Sequence, residues 1–309
     1  MGKYAIHPDL KNFEHFQMML NPRLLPLMNG LMSLGLRARK PAPGLASRTV
    51  RIPGHQGGLI GLTIIEPKDI GAQAPCLLFL HGGAFVLQAA PHHLDLADAY
   101  ALQTPCKVIL VDYRLAPKHP FPVGLEDAWA ALEWTFHNAG DLGIDPGRLA
   151  IGGDSAGGAL AAALCQMARD RRGPSIRFQM LVYPVTDARQ TSASMREFTD
   201  TPVWNAGLTR RMWELYLRDG DQGMRAWASP LEAASLAGLP DSYVEVAEFD
   251  CLRDEGIQYA EALGQAGCRV ELNRTSGTVH GFEVAWKSRL TTDSITRRVA
   301  ALRQAFGIG

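Results

Sequence analysis

Strand and helix patterns alternate along this chain, and the alternation predicts an α/β fold, a mostly parallel sheet covered by helices on both faces. Three observations carry the prediction. Short apolar runs read as strands at residues 76–80, 107–112, 148–153, 178–183, 242–249 and 269–274. Amphipathic spacing reads as helix at 123–137, 156–172, 253–266 and 292–306, the last through Ile295, Val299, Leu302 and Phe306. Residues 47–66, with Gly54, Gly57 and Gly58 in the middle, read as an antiparallel hairpin ahead of the alternation. Ligands of such a sheet bind beyond the carboxyl ends of its strands, so the loops that follow strands are where function is sought.

Composition narrows the class. The 309 residues are 47% hydrophobic and 20% charged, long enough for one large domain. The 31 basic side chains equal the 31 acidic ones, with no run of like charge, so a small or neutral substrate is expected and a nucleic acid is not. Five cysteines, Cys76, Cys106, Cys165, Cys251 and Cys268, form no C-x-x-C pair, a usage that reads as reduced cytoplasm. The apolar stretch "MMLNPRLLPLMNGLMSLGL" is interrupted by Pro22, Arg23 and Pro26 and does not read as a signal peptide. No stretch reaches the roughly 18 apolar residues of a membrane span, so stable membrane insertion is not expected.

Two segments stand outside the alternation, 1–45 and about 188–228. The first concentrates Met18, Met19, Met28 and Met32, and the second carries Trp204 and Trp213. They read either as ordinary surface helices or as a lid whose adaptable apolar side chains line a pocket.

"RLAIGGDSAGGALAAALCQMARD", residues 148–170, runs from a strand into a helix of small residues, with Ser155 flanked two positions away by Gly153 and Gly157. G-x-S-x-G in that setting is a tight strand-to-helix turn that lifts a nucleophilic serine into a cleft. Such a serine needs a base, and the base an orienting acid, in the chain order serine, acid, histidine. Of nine histidines only His280 follows Ser155, in the loop "GTVHGF". Among the acids between them, Asp250 ends the strand pattern of "SYVEVAEFDCLRDEG", whereas Asp254 and Glu255 read as favourable charge at the next helix N-terminus. "HGGAFVLQ", residues 81–88, follows another strand. Its glycines let a backbone come close enough to offer N–H donors to an oxyanion, beside the N–H of Ala156, while His81 reads as a loop-holding residue. His92, His93 and Asp95 lack metal-ligand spacing and read as the start of a helix; neither a metal nor a nucleotide loop is expected.

In order along the chain, "HGGAF", "DYRLAP" with "HPFP", "GDSAGG", "YPVTD", "DCLRDEG" and "HGF" resemble the hormone-sensitive-lipase-like branch of the α/β-hydrolases, the bacterial family IV carboxylesterases, over roughly residues 47–308. The resemblance implies an eight-stranded α/β-hydrolase domain at 46–309 and a helical lid from residues 1–45 and about 188–228. It implies Ser155 as nucleophile, Asp250 as acid, His280 as base, and oxyanion donors at Gly83, Ala84 and Ala156, with Gly82 shaping the loop. Ala84 stands where a third glycine is common and suffices if its φ is negative; Cys251 replaces a proline and removes backbone stiffness beside Asp250. Phe85 and Trp204, with the methionines, are expected to bound the pocket. The expected activity is cofactor-free hydrolysis of short- to medium-chain acyl esters through an acyl-enzyme, extending to esters of bulky tertiary alcohols. An amidase, lactonase or peptidase would use the same triad, and a decayed relative would be a ligand-binding receptor. An exposed final strand near 269–274 could pair two copies into a homodimer.

Overall fold

The computed structural model describes residues 3–309. Its strands are β1 (Leu45–Pro53), β2 (Leu59–Pro67), β3 (Ala74–Leu80), β4 (Lys107–Asp112), β5 (Ile144–Asp154), β6 (Phe178–Val182), β7 (Ser242–Phe249) and β8 (Val270–Val279). They form one eight-stranded sheet in the order β1-β2-β4-β3-β5-β6-β7-β8. β1 pairs antiparallel with β2, and β2 with β4, after which every pairing is parallel. This is the α/β-hydrolase sheet that the sequence predicts.

The helices are α1 (Leu25–Ala38), α2 (Pro91–Gln103), α3 (Val123–His137), α4 (Ala139–Leu142), α5 (Ala156–Asp170), α6 (Ala193–Glu197), α7 (Ala206–Tyr216), α8 (Arg225–Ala228), α9 (Arg253–Gln265) and α10 (Arg289–Phe306). Side chains on a strand alternate between faces, and the core divides accordingly. Leu78, Leu80, Ile109 and Val111 belong to the layer shared with Leu132, Leu160 and Leu263 from α3, α5 and α9. Leu77, Phe79, Val108 and Leu110 belong to the layer shared with Leu96, Tyr100, Val299 and Leu302 from α2 and α10. Strands buried on both faces read as unbroken apolar runs, which is why β3 and β4 were visible without alternation.

Chain ahead of the sheet and chain between β6 and β7 meet over the carboxyl edge. Met18 N–H donates to Val203 O (3.1 Å) and Val203 N–H to Phe16 O (2.6 Å), and Tyr4 Oη donates to Asp200 (2.5 Å). Asp254 and Glu255 at the start of α9 are not simple helix-terminal charges. Glu255 is fully buried and accepts the N–H groups of Thr186 (2.6 Å) and Asp187 (3.1 Å), and burial pushes its carboxyl well above the usual range. Asp254 accepts the N–H of Ser194 (2.8 Å). Both tie the chain leaving β6 back to the sheet, a long-range use that helix-end reasoning cannot see.

Beneath β8, Arg298 of α10 is fully buried between Glu245 of β7 and Glu283, with the Glu283 contact at 2.5 Å. Tyr243 Oη and Asn273 Nδ2 also donate to Glu245 (2.6 and 2.9 Å), and Tyr183 Oη donates to Glu283 (2.6 Å). Removing the cation would leave two buried carboxylates uncompensated, a change that typically costs about 3–5 kcal/mol. Arg298→Met is therefore expected to lower the unfolding free energy from urea titration by that order, and a loss under about 1 kcal/mol would contradict this account.

Candidate active site

β5 ends at Asp154 and α5 begins at Ala156, leaving one residue for the turn. Ser155 takes φ 54° and ψ −119°, a sparsely populated conformation for an L-residue, held because Ser155 N–H donates to Val182 O (2.8 Å) and Val185 N–H to Ser155 O (3.2 Å). The turn works only if α5 starts directly against β3. A Cβ at Gly157 would overlap the carbonyl oxygen of Leu80, so backbone packs on backbone there.

Asp250 follows β7 and His280 follows β8, so three strand ends deliver Ser155, His280 and Asp250 to one spot. His280 Nε2 lies 2.9 Å from Ser155 Oγ, and its Nδ1 lies 2.7 Å from Asp250 Oδ2. A carboxylate only accepts, so Nδ1 carries the proton and Nε2 accepts from the serine hydroxyl. Asp250 is fully buried and its other oxygen accepts the Leu252 N–H (3.0 Å). Cys251 is buried as well: its carbonyl accepts from Ser194 Oγ (2.8 Å), and its Sγ lies 3.2 Å from Thr209 Oγ1, which accepts Trp204 Nε1–H (2.8 Å). These side-chain contacts fasten the loop where the sequence lacks proline.

The glycine-rich loop follows β3 beside Ser155. The N–H groups of Gly83, Ala84 and Ala156 have no acceptor among the described residues. The condition set on Ala84 fails: its φ is +57°, and Phe85 follows at +60°, after Gly83 at +124°. Left-handed backbone costs an L-residue roughly 1–2 kcal/mol, so the loop is strained and must be held. At Gly83 a Cβ would stand 2.6 Å from Leu87 O, which rules out a side chain. Gly82 N–H donates to Asp154 Oδ1 (3.0 Å), and Ala116 N–H to Phe85 O (2.9 Å). Asp154 thus joins the loop to the serine turn. Burial alone would raise its carboxyl, but attraction to His93 (3.3 Å) and the Gly82 N–H outweigh burial and hold it below the usual carboxylate range.

His81 is a loop-holding residue in geometry. Its ring stacks on Tyr113 of "DYRLAP" (4.5 Å, 13°), its Nδ1 meets Gly82 O (2.7 Å), and Tyr113 Oη donates to His81 O (2.7 Å). Of the helix-start group, His93 turns to Asp154 and Asp95 pairs with Arg39 (2.6 Å).

A cavity of about 110 Å³ opens at Ser155 and His280, lined by Met18, Met32, Leu87, Val203 and Trp204 among others. Phe85 does not line it. Its ring turns away and stacks on Tyr216 (3.7 Å, 8°), so it anchors the loop instead of bounding the pocket. Met19 is exposed, Met28 packs against the core, and Trp213 sits beside Phe85, leaving Met18, Met32 and Trp204 from the expected set. Sequence reasoning missed Tyr183, whose ring lies 4.5 Å from His280, and Val203. Tyr183 directly follows β6 at the sheet's carboxyl edge, the signal that would have found it.

Two stability predictions follow from this packing. Gly157→Ala should destabilise by about 3 kcal/mol or more, the upper range of overpacking, because only backbone can yield; a near-wild-type melting temperature would refute it. Burial, with repulsion from His93, pushes the His81 ring down to about 4. The unfolded ring titrates near 6.5, so the unfolded chain binds the proton first and stability falls as pH drops from about 6.5 to about 4. His81 alone should remove roughly 2 kcal/mol between pH 7 and pH 5. Urea titrations at both values should show that slope flattened in His81→Asn.

Comparison with known proteins agrees with this fold. A family model described as the α/β hydrolase fold, Abhydrolase_3, matches residues 77–284. Carboxylesterase NlhH of Mycobacterium tuberculosis is 38% identical over 279 residues, covering 87% of each chain. Esterase LipI of the same organism is 40% identical over 250 residues, covering 80% of this chain and 78% of its own. The solved structure of a bacterial heroin esterase superposes with a TM-score of 0.90 at 32% identity, covering 98% of both chains. With the fold, the strand-end constellation and these relatives together, the chain belongs to the hormone-sensitive-lipase-like carboxylesterase family of the α/β-hydrolase fold.

Proposed function

We propose that this carboxylic ester hydrolase cleaves esters of short acyl chains through an acyl-enzyme on Ser155. The observation that carries the reading is the continuous line from Asp250 Oδ2 through His280 to Ser155 Oγ, at 2.7 and 2.9 Å. His280 Nε2 takes the hydroxyl proton as Ser155 Oγ attacks the ester carbonyl carbon. Negative charge gathers on the former carbonyl oxygen, and the N–H groups of Gly83, Ala84 and Ala156 stabilise it because they are oriented before the charge appears. Asp250 steadies the imidazolium. His280 then returns the proton to the departing alcohol, and water repeats the sequence on the acyl-enzyme to release the acid.

Chain length is read from the cavity's size and lining: it is small, about 110 Å³, and mostly apolar beside Ser155, which favours acyl groups from acetyl to butyryl over longer ones. Residues 1–45 and about 188–228 act as the lid, since Met18, Met32, Val203 and Trp204 supply much of the apolar wall.

The test is hydrolysis of p-nitrophenyl esters from acetate to palmitate. Turnover should peak at or below butyrate and fall by at least about 10⁴-fold in kcat in Ser155→Ala, the scale of losing a triad nucleophile. Met32→Ala should move the optimum to longer chains. Activity surviving in Ser155→Ala, or a peak on long chains, would defeat the reading.

A further inference from the structure

The strained loop at Gly83–Phe85 is held on one side by the sheet and on the other by a helix that lies outside it. Inside the loop, Val86 and Leu87 N–H groups both donate to Gly83 O (3.0 and 2.8 Å). That turn uses neither the Val86 carbonyl nor the Gln88 N–H. Asn29 of α1 takes both: its Nδ2 donates to Val86 O (2.9 Å) and its Oδ1 accepts from Gln88 N–H (2.9 Å). One turn further, the Ser33 hydroxyl lies against the Gln88 side chain. Leu25, Met28, Asn29, Met32, Ser33 and Leu36 share the inward face of α1, and Met32 and Gln88 both line the cavity.

We infer that Asn29 is a positioning residue for the oxyanion site, holding the loop so that the Gly83 and Ala84 N–H groups aim at the developing charge. The inference rests on the serine mechanism proposed above. A planar amide that closes two hydrogen bonds to alternate backbone groups fixes both the position and the tilt of the peptide segment it spans. An L-residue in left-handed backbone gains from relaxing, and the restraint at Val86 and Gln88, directly after the left-handed Ala84 and Phe85, opposes that relaxation and so keeps the Gly83 and Ala84 N–H groups in place. The acyl wall and the charge-stabilising loop are therefore joined through one side chain.

Docking of α1 by itself would affect binding and stability; a positioning role affects the transition state. The unsubstituted chain, Asn29→Leu, Asn29→Gln and Ser155→Ala are compared on p-nitrophenyl acetate. They are also compared for inhibition by an alkyl trifluoromethyl ketone and by the corresponding methyl ketone. The fluorinated ketone adds reversibly: a bond forms from Ser155 Oγ to the carbonyl carbon, the C=O π pair moves to oxygen as an oxyanion, and the hydroxyl proton goes to His280. The methyl ketone of like shape reports ground-state fit.

In Asn29→Leu, kcat should fall by about tenfold or more with KM within about twofold, since single oxyanion donors are worth on the order of 10²–10³ in rate. Affinity for the trifluoromethyl ketone should fall in step with kcat/KM, and affinity for the methyl ketone should hold. Asn29→Gln, which keeps both amide groups one methylene out of place, should lie between and decides the matter if Asn29→Leu does not fold. A kcat/KM within twofold of wild type overturns the inference. So does a loss in which the two ketones weaken equally, because α1 would then act through pocket shape. Activity persisting in Ser155→Ala overturns the serine reading itself, whereas an inactive Ser155→Ala beside an unaffected Asn29→Leu overturns only the role of Asn29.

Discussion

Everything at the carboxyl edge of this sheet depends on one close approach, the start of α5 against the end of β3. Because Gly157 has no Cβ, its backbone sits on the Leu80 carbonyl, and α5 can begin with only Ser155 between it and the end of β5. That leaves Ser155 no ordinary conformation and turns its side chain out of the sheet. The same proximity brings Asp154 to Gly82, so the serine turn and the glycine loop are fastened to each other before any other part of the site is added. Displacing α5 by the width of a methyl group would carry Ser155 away from His280.

Around that contact the fold uses buried polar groups as fasteners, each joining chain that is distant in sequence. Glu255 holds the exit of β6, Asp154 holds the glycine loop, and Arg298 joins Glu245 of β7 to Glu283 just past His280. Hydrogen bonds of this kind add little net stability over water, but a broken one leaves a buried group without a partner, which is why they fix geometry so firmly. Cys251 belongs with them. The stiffness that a proline would give the Asp250 loop comes instead from contacts with Ser194 and Thr209.

The strands, the mostly parallel sheet they form and the gathering of Ser155, Asp250 and His280 are legible because each depends on pattern along the chain: an apolar run, the residue at its end, and chain order. What was illegible depends on packing partners. Phe85 reads as a pocket aromatic until Tyr216, 131 residues later in the chain, appears beneath it. Ala84 reads as a residue with ordinary backbone because nothing in the sequence says that Phe85 and Asn29 will hold it left-handed. Glu255 reads as a helix-end charge because its donors, the N–H groups of Thr186 and Asp187, lie in the distant loop after β6. Asn29 was visible in principle, as one of two polar positions on the inward face of an apolar helix, but only once the register of α1 was known.

The division between sheet and cover has an evolutionary consequence. Ser155 and the glycine loop sit on backbone-to-backbone contacts that tolerate almost no substitution, while part of the cavity wall, Met18, Met32, Val203 and Trp204, comes from segments outside the sheet. On the proposed reading, descendants of such a chain can reshape the cavity by exchanging Met18, Met32 or Val203 without disturbing the contacts that hold Ser155. The amide at position 29 limits that freedom: a lineage that rebuilds its first helix must reinvent a support for the loop in the same step, so change there would come in jumps.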